Sequence, residues 1–240
     1  MRKAKDWIKS LSSALDDLLY PEDVLCLCCA RALGEDAQMN ICPTCAKALE
    51  RLAVMQRERE RTEAPPEIRE ISSVRAAYPY DAQAKQLIWK LKYESVRSAA
   101  QPLASAMAEL THPQAEVIVP VPTDRKRLKK RGFNQASVIA EAIGRKTGIP
   151  VVQALERTQS RAPQTSLTAE QRRENLVGCM TVCEMVAGKR ILLVDDVITT
   201  GSTIEEAARA LHQAGAAEIH ACAAAQAGWN AADATKPEFL

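Results

Sequence analysis

Residues 191–203 read ILLVDDVITTGST, and the rest of the chain can be organised around them. Ile191, Leu192, Leu193 and Val194 form a continuous apolar run, the pattern of a strand buried on both faces. Asp195 and Asp196 come next, at the expected carboxyl end of that strand, where open α/β sheets bind their ligands. Gly201 permits a tight turn. Ser202 with Glu205, and Thr203 with Glu206, have the spacing of a helix-capping box. Ile204, Ala207, Ala208 and Leu211 then fall on one helical face. The spacing predicts a strand, a hydroxyl-rich turn and a helix.

Chemistry follows from that order. A helix N-terminus aims backbone N–H groups outward and suits a phosphate. Thr199, Thr200, Ser202 and Thr203 add hydroxyl donors at the same place. Carboxylates only accept hydrogen bonds, so Asp195 and Asp196 cannot hold a phosphate. They can hold sugar hydroxyls, at about 1.5–3 kcal/mol per charge-assisted bond. A phosphate cradle beside two hydroxyl acceptors describes a ribose 5-phosphate site.

The chain has 240 residues, room for one α/β domain and a small module. Hydrophobic residues make up 47%, enough for a packed core. A net charge of +2 leaves any polyanion binding to a local patch. The N-terminus starts basic but has no apolar stretch long enough for a signal peptide, and no run reaches the length of a membrane span. A cytoplasmic protein without membrane insertion is expected, so its 8 cysteines read as metal ligands or buried thiols rather than disulfides.

Taken in order, Ile8, Leu11, Leu15 and Leu18 predict an amphipathic helix. Cys26 and Cys29 form one C-x-x-C, and Cys42 and Cys45 another. Two such knuckles bring four thiolates to the corners of a tetrahedron, the closed coordination of a structural zinc. Cys28 is a spare, whereas Cys179, Cys183 and Cys222 lie in apolar sequence and are expected in the core. Charges of both signs crowd residues 56–70, read as a solvated helix face trailing into a linker, with a boundary near Pro65. This divides the chain into a module at 1–64 and a larger domain at 65–240.

Residues 73–80 predict a strand. Ala84, Leu87, Ile88 and Leu91 predict a helix bearing Lys85, Lys90 and Lys92, and Leu103, Met107 and Leu110 another. Residues 116–122, EVIVPVP, are a second buried strand, followed by a basic stretch with Arg125 and Arg131. The loop from Val121 and Pro122 to Arg131 could be a solvated loop, a grip on a diphosphate or a patch for nucleic-acid backbone. A helix with Ile139, Ala142 and Ile143 on one face stops at Gly148. Residues 155–183, including Arg157, Arg161, Gln164, Arg172, Arg173 and Asn175, lack a clean period and read as a flap over the site. Residues 217–225 predict a last parallel strand, and 230–240 a loose tail.

Residues 191–203 resemble the phosphoribosyl-diphosphate (PRPP) signature of type I phosphoribosyltransferases. Where the purine-salvage branch has an aspartate before the Thr-Gly pair, this chain has Thr199, which argues against purine salvage and leaves the general base unassigned. The wider pattern resembles the ComF family of competence-associated proteins. It consists of the double C-x-x-C, Lys90-x-Lys92-Tyr93, Val119-Pro120-Val121-Pro122, Arg131-Gly132-Phe133-Asn134-Gln135, Gln164…Arg172…Asn175 and the acid-and-hydroxyl loop. The resemblance implies an α/β type I phosphoribosyltransferase fold, a mostly parallel sheet flanked by helices, with a small N-terminal zinc-ribbon-like module. It also implies PRPP and Mg²⁺ as ligands and a role in DNA uptake or the use of imported DNA.

Two functions are compatible with these residues. The first is a PRPP-dependent glycosyltransferase of unspecified acceptor. In it Asp195, Asp196 and Thr199 serve the reacting sugar, Thr200, Gly201, Ser202 and Thr203 the 5-phosphate, and Val121, Pro122, Arg125 and Arg131 the diphosphate. The second is a non-catalytic scaffold that binds single-stranded DNA or a competence helicase.

Overall fold

The computed structural model describes residues 24–62, 70–157 and 178–227. Four parallel strands make the main sheet: β1 (Ser73–Pro79), β2 (Val117–Pro120), β5 (Arg190–Ile198) and β6 (Glu218–Gln226), in the order β1-β6-β5-β2. β5 is central. Leu192 pairs with Ile118 of β2 on one side and His220 of β6 on the other, so the apolar run is covered on both edges as well as both faces.

Helices cover the two faces. On one lie α2 (Ala82–Trp89), α3 (Ala100–Ala108) and α5 (Gln135–Thr147). Their Leu87, Ile88, Leu103, Met107, Ile139 and Ile143 pack with Leu192 and Val194. On the other lies α6 (Ser202–Gln213), whose Ile204, Ala207, Ala208 and Leu211 pack with Ile191 and Leu193. The period of two along β5 divides its residues between these layers.

Among the described residues, several expectations change. β5 continues to Ile198, so Asp195 and Asp196 lie within the strand rather than beyond it. Continued pairing to β6, Ile198 with Gln226, extends it. The basic stretch is not a loop: Arg125–Arg131 forms a short helix, α4, because Asp124 caps its start and Gly132 closes it in the left-handed conformation at φ +80°. Neither capping box forms at α6. Gly201 is the N-cap, and Glu206 is instead buried against Arg209 and the Gly178 N–H. Cys183 is exposed, unlike buried Cys179 and Cys222. The ends of the expected flap meet as an antiparallel ribbon, β3 (Leu155–Arg157) with β4 (Met180–Val182).

The charged stretch is not uniformly solvated either. It belongs to α1 (Pro43–Thr62), which docks on the sheet edge. Gln56 is fully buried and donates to Gln226 Oε1 at 3.1 Å, while Glu60 accepts the Ala76 N–H at 2.8 Å. An edge strand leaves such N–H groups open, and Glu60 closes this one. Cys26, Leu27, Ile41, Cys45 and Leu49 share a continuous core with α2, α3 and the sheet. The N-terminal helix, Pro65, residues 161–175 of the expected flap and the tail lie outside the described residues.

Candidate functional site

Two local sites can be built from the residues upward. The first is the cysteine cluster. The sulfurs of Cys26, Cys29, Cys42 and Cys45 all lie within 4.8 Å of one another. Cys29 and Cys42 sulfurs stand 3.8 Å apart, the edge expected of a tetrahedron with Zn–S bonds of about 2.3 Å. Burial pushes the Cys26 thiol up, but N–H groups of Cys42, Cys29 and Cys28 converge on it and bring it down to about 6. Cys45, in the same cluster, is pushed the other way, by burial first and then by the neighbouring thiols. Cys28 points elsewhere, toward the Gln83 carbonyl at 3.9 Å, and burial beside the other thiols pushes it up to about 12. These four residues fit a tetrahedral metal, and Cys28 does not compete.

The second site is the carboxyl end of β5. At α6 no side chain caps the helix, and Gly201 turns the chain at φ +79°. The Ser202 and Thr203 N–H groups therefore open a 12-residue helix in the arrangement that favours an anion. Thr199 and Thr200 are exposed beside it, and Thr200 Oγ1 lies 2.9 Å from Ser202 Oγ. The Thr199–Thr203 group is thus brought together as the spacing predicts.

The two acids have different surroundings, as consecutive strand residues must. Asp196 Oδ1 sits 2.7 Å from Lys92 Nζ. Asp195 Oδ1 accepts the Asp196 N–H at 2.7 Å. Burial raises the Asp195 carboxyl most and the Asp196 charge raises it further. The Asp196 N–H, Lys92 and Arg157 pull the other way, and the result is about 7.

Val121 and Pro122 leave β2 directly beside this end. The Val121 N–H donates to the Val194 carbonyl at 2.8 Å, and Asn134 Nδ2 donates to the Val121 carbonyl at 2.9 Å. Asn134 also caps α5 through the Ala136 N–H. One residue therefore starts a helix and pins the 121–124 segment. Arg125 is exposed on α4. Arg131 is turned toward Gln135 Oε1, at 2.9 Å, and the Tyr93 ring, at 5.1 Å. Neither arginine contacts the β5 acids.

Sequence reasoning missed Lys92 and Asn134 as parts of this site. Lys92 is about a hundred residues from Asp196, and nothing local signals the pairing. A groove of about 300 Å³ elsewhere, lined by Glu70, Ile71, His212 and Glu218, holds none of the predicted site residues.

A parallel sheet layered by helices, with acids near the carboxyl end of an inner strand, is the open α/β arrangement that binds ligands at that end, and here it is the type I phosphoribosyltransferase fold, as the following match shows. A family model described as "Phosphoribosyl transferase domain" matches residues 128–238. Competence protein ComFC of Bacillus subtilis (strain 168) is 28% identical over 207 residues, 83% of this chain and 82% of that protein. Competence protein F of Haemophilus influenzae is 35% identical over 116 residues, about half of each chain at 47% and 51%. Among solved structures, the glutamine PRPP amidotransferase of B. subtilis complexed with ADP and GMP is 26% identical at a TM-score of 0.41. That match covers 54% of this chain and 26% of that one. The chain is thus similar to competence proteins over most of its length, and its residues 128–238 match the phosphoribosyl transferase domain. Among the described residues, no helix is long and apolar enough to cross a membrane.

Proposed function

We propose that this protein binds PRPP with Mg²⁺ at the carboxyl end of β5, and serves DNA uptake or the use of imported DNA in the cytoplasm. The observation that carries the reading is the uncapped N-terminus of α6 beside two acids on the central strand. The α6 N–H groups and the hydroxyls of Thr199–Thr203 take the 5-phosphate. Asp195 and Asp196 accept hydrogen bonds from the ribose. The segment at Val121 and Pro122, held by Asn134, borders the diphosphate end. Mg²⁺, when bound with PRPP, would supply charge neutralisation at the diphosphate, with Asp195 and Asp196 as the nearest acids of this chain. A nucleophile attacking C1 of the sugar then expels that diphosphate, and the protein contributes positioning and fixed charge. In this reading Cys26, Cys29, Cys42 and Cys45 are the ligands of a zinc module assigned to the 1–64 part of the chain, and the sugar-phosphate site belongs to the 65–240 part.

Titration calorimetry with Mg²⁺ and PRPP tests the binding. Heat with wild type, and weaker heat with Asp196→Asn, supports the reading, while no heat with wild type rejects it. Release of diphosphate across a panel of acceptors, followed by mass spectrometry, tests transfer.

A second reading is favoured by one surface. Trp89 and Tyr93 are 47% and 57% exposed, with ring centroids 4.4 Å apart. Arg131 lies over the Tyr93 ring, and α4 adds Arg125, Lys126, Arg127, Lys129 and Lys130 without a buried residue. Stacking rings beside a cationic helix suit single-stranded nucleic acid. Binding of an oligonucleotide that weakens steeply with salt and falls in Trp89→Ala supports it. Equal binding by that variant counts against it.

A further inference from the structure

The Lys92–Asp196 pair is the strongest unexplained feature of the site. Lys92 comes from a π-helical turn, Lys90–Glu94, that follows α2. Such turns are rare and are found often at functional sites. This one ends at Ser95 in the left-handed conformation, φ +60°, a backbone state that serine adopts at some cost. Lys92 lies four residues after buried Ile88, so its stem follows the inner face and its ammonium needs a partner. The partner is Asp196 Oδ1 at 2.7 Å, with the two side chains 17% and 15% exposed. A simple brace between helix and sheet would not need an acid from the ligand end of β5. Two adjacent acids also make a poor seat for a ligand carrying several negative charges, unless one acid has a counter-charge.

We propose that Lys92 is a positioning residue for the sugar end of this site. Its ammonium holds one oxygen of Asp196 and cancels its charge. The other oxygen is left to accept a hydrogen bond from a hydroxyl of a phosphorylated pentose. The inference rests on the sugar-phosphate reading above and adds to it a role for a residue outside the acid-and-hydroxyl loop.

The test is calorimetry on the full-length, metal-loaded protein with ribose 5-phosphate and, separately, Mg²⁺ with PRPP. Lys92→Met should weaken both ligands by the same factor, roughly ten-fold. Lys92→Arg should retain most of the affinity. The double variant Lys92→Met with Asp196→Asn should bind no worse than Asp196→Asn alone, because Lys92 acts through that carboxylate. The double variant leaves no unpaired charge, so it keeps the comparison available where Lys92→Met alone folds poorly.

Three outcomes overturn the role while leaving the site reading intact. One is unchanged affinity in Lys92→Met with a lowered Tm, which marks a brace only. Another is multiplied losses in the double variant. The third is weakening of PRPP but not of ribose 5-phosphate, which marks a direct grip on the diphosphate. Wild type that binds neither ligand overturns the site reading and this role together.

Discussion

The four cysteines near the start of the chain and the acid-and-hydroxyl turn near its end are both short motifs, but the fold completes them differently. The cysteine cluster closes on itself: its four sulfurs come from two knuckles 13 residues apart, counted from Cys29 to Cys42. The β5 corner does not. Its α6 N-terminus is local, but Asp196 is paired to Lys92, Asp195 is influenced by Arg157, and the 121–124 segment is pinned by Asn134. A closed metal site needs only its own spacing. A site for a large anionic ligand has to borrow charge from distant segments. The two regions therefore predict different failures.

The largest effect is expected from the cysteines. Cys42→Ser, or removal of metal by a chelator, should cost on the order of 10 kcal/mol of local folding free energy. Because Cys26, Cys45 and Leu49 share a core with α2 and α3, the whole protein's melting transition should move. Metal analysis and a thermal melt check this. An unmoved transition would show that the module folds apart from the sheet.

Asp195 comes next. Its carboxyl is raised from 3.8 to about 7, chiefly by burial and then by Asp196. Well below the ordinary value of 3.8, folded and unfolded chains both keep the proton and there is no penalty. Between about 4 and 7 the unfolded chain ionises first, so stability is lost as pH rises. Above about 7 both forms are ionised and the full penalty, on the order of a few kcal/mol, persists. Asp195→Asn should therefore come closest to wild type at the acid end, below the ordinary 3.8, and exceed it in urea midpoint at pH 8. A variant less stable than wild type at pH 8 would contradict this account of the corner.

Asp196→Asn is a binding change more than a stability change. Loss of one charge-assisted bond should weaken Mg²⁺–PRPP by about ten- to a hundred-fold by calorimetry. The smallest effect is at the Lys90–Glu94 pair, which spans the π turn at 2.9 Å but is partly exposed. Lys90→Ala should cost less than about 0.5 kcal/mol in a denaturant titration. A larger loss would mean that the turn carrying Lys92 depends on this pair.

Much of the fold was legible before any coordinates. The strand at Ile191–Val194, the helix stopped by Gly148 and the last parallel strand follow from period and punctuation, which are local. The misreadings have two causes, partners supplied by distant segments and one local cap that was overlooked. The Thr203–Glu206 capping box failed because Glu206 found a better partner in Arg209 and the Gly178 N–H. The charged α1 was read as solvated because its register against the β1 edge is invisible in one dimension. The basic stretch became a helix because Asp124 caps it, a signal that was present in the sequence.

By itself the sequence determined the four-cysteine set, the buried central strand and the helix behind it. Each depends on short local patterns, a hydrophobic run, a helical period or a pair of C-x-x-C knuckles, in which neighbouring residues set who can meet. Only the tertiary structure decided which acid carries a counter-charge and which holds its proton to about pH 7. It also decided which segment borders the strand end. Burial and charge pairing are set by packing between segments far apart in the chain, and residue spacing does not encode those distances.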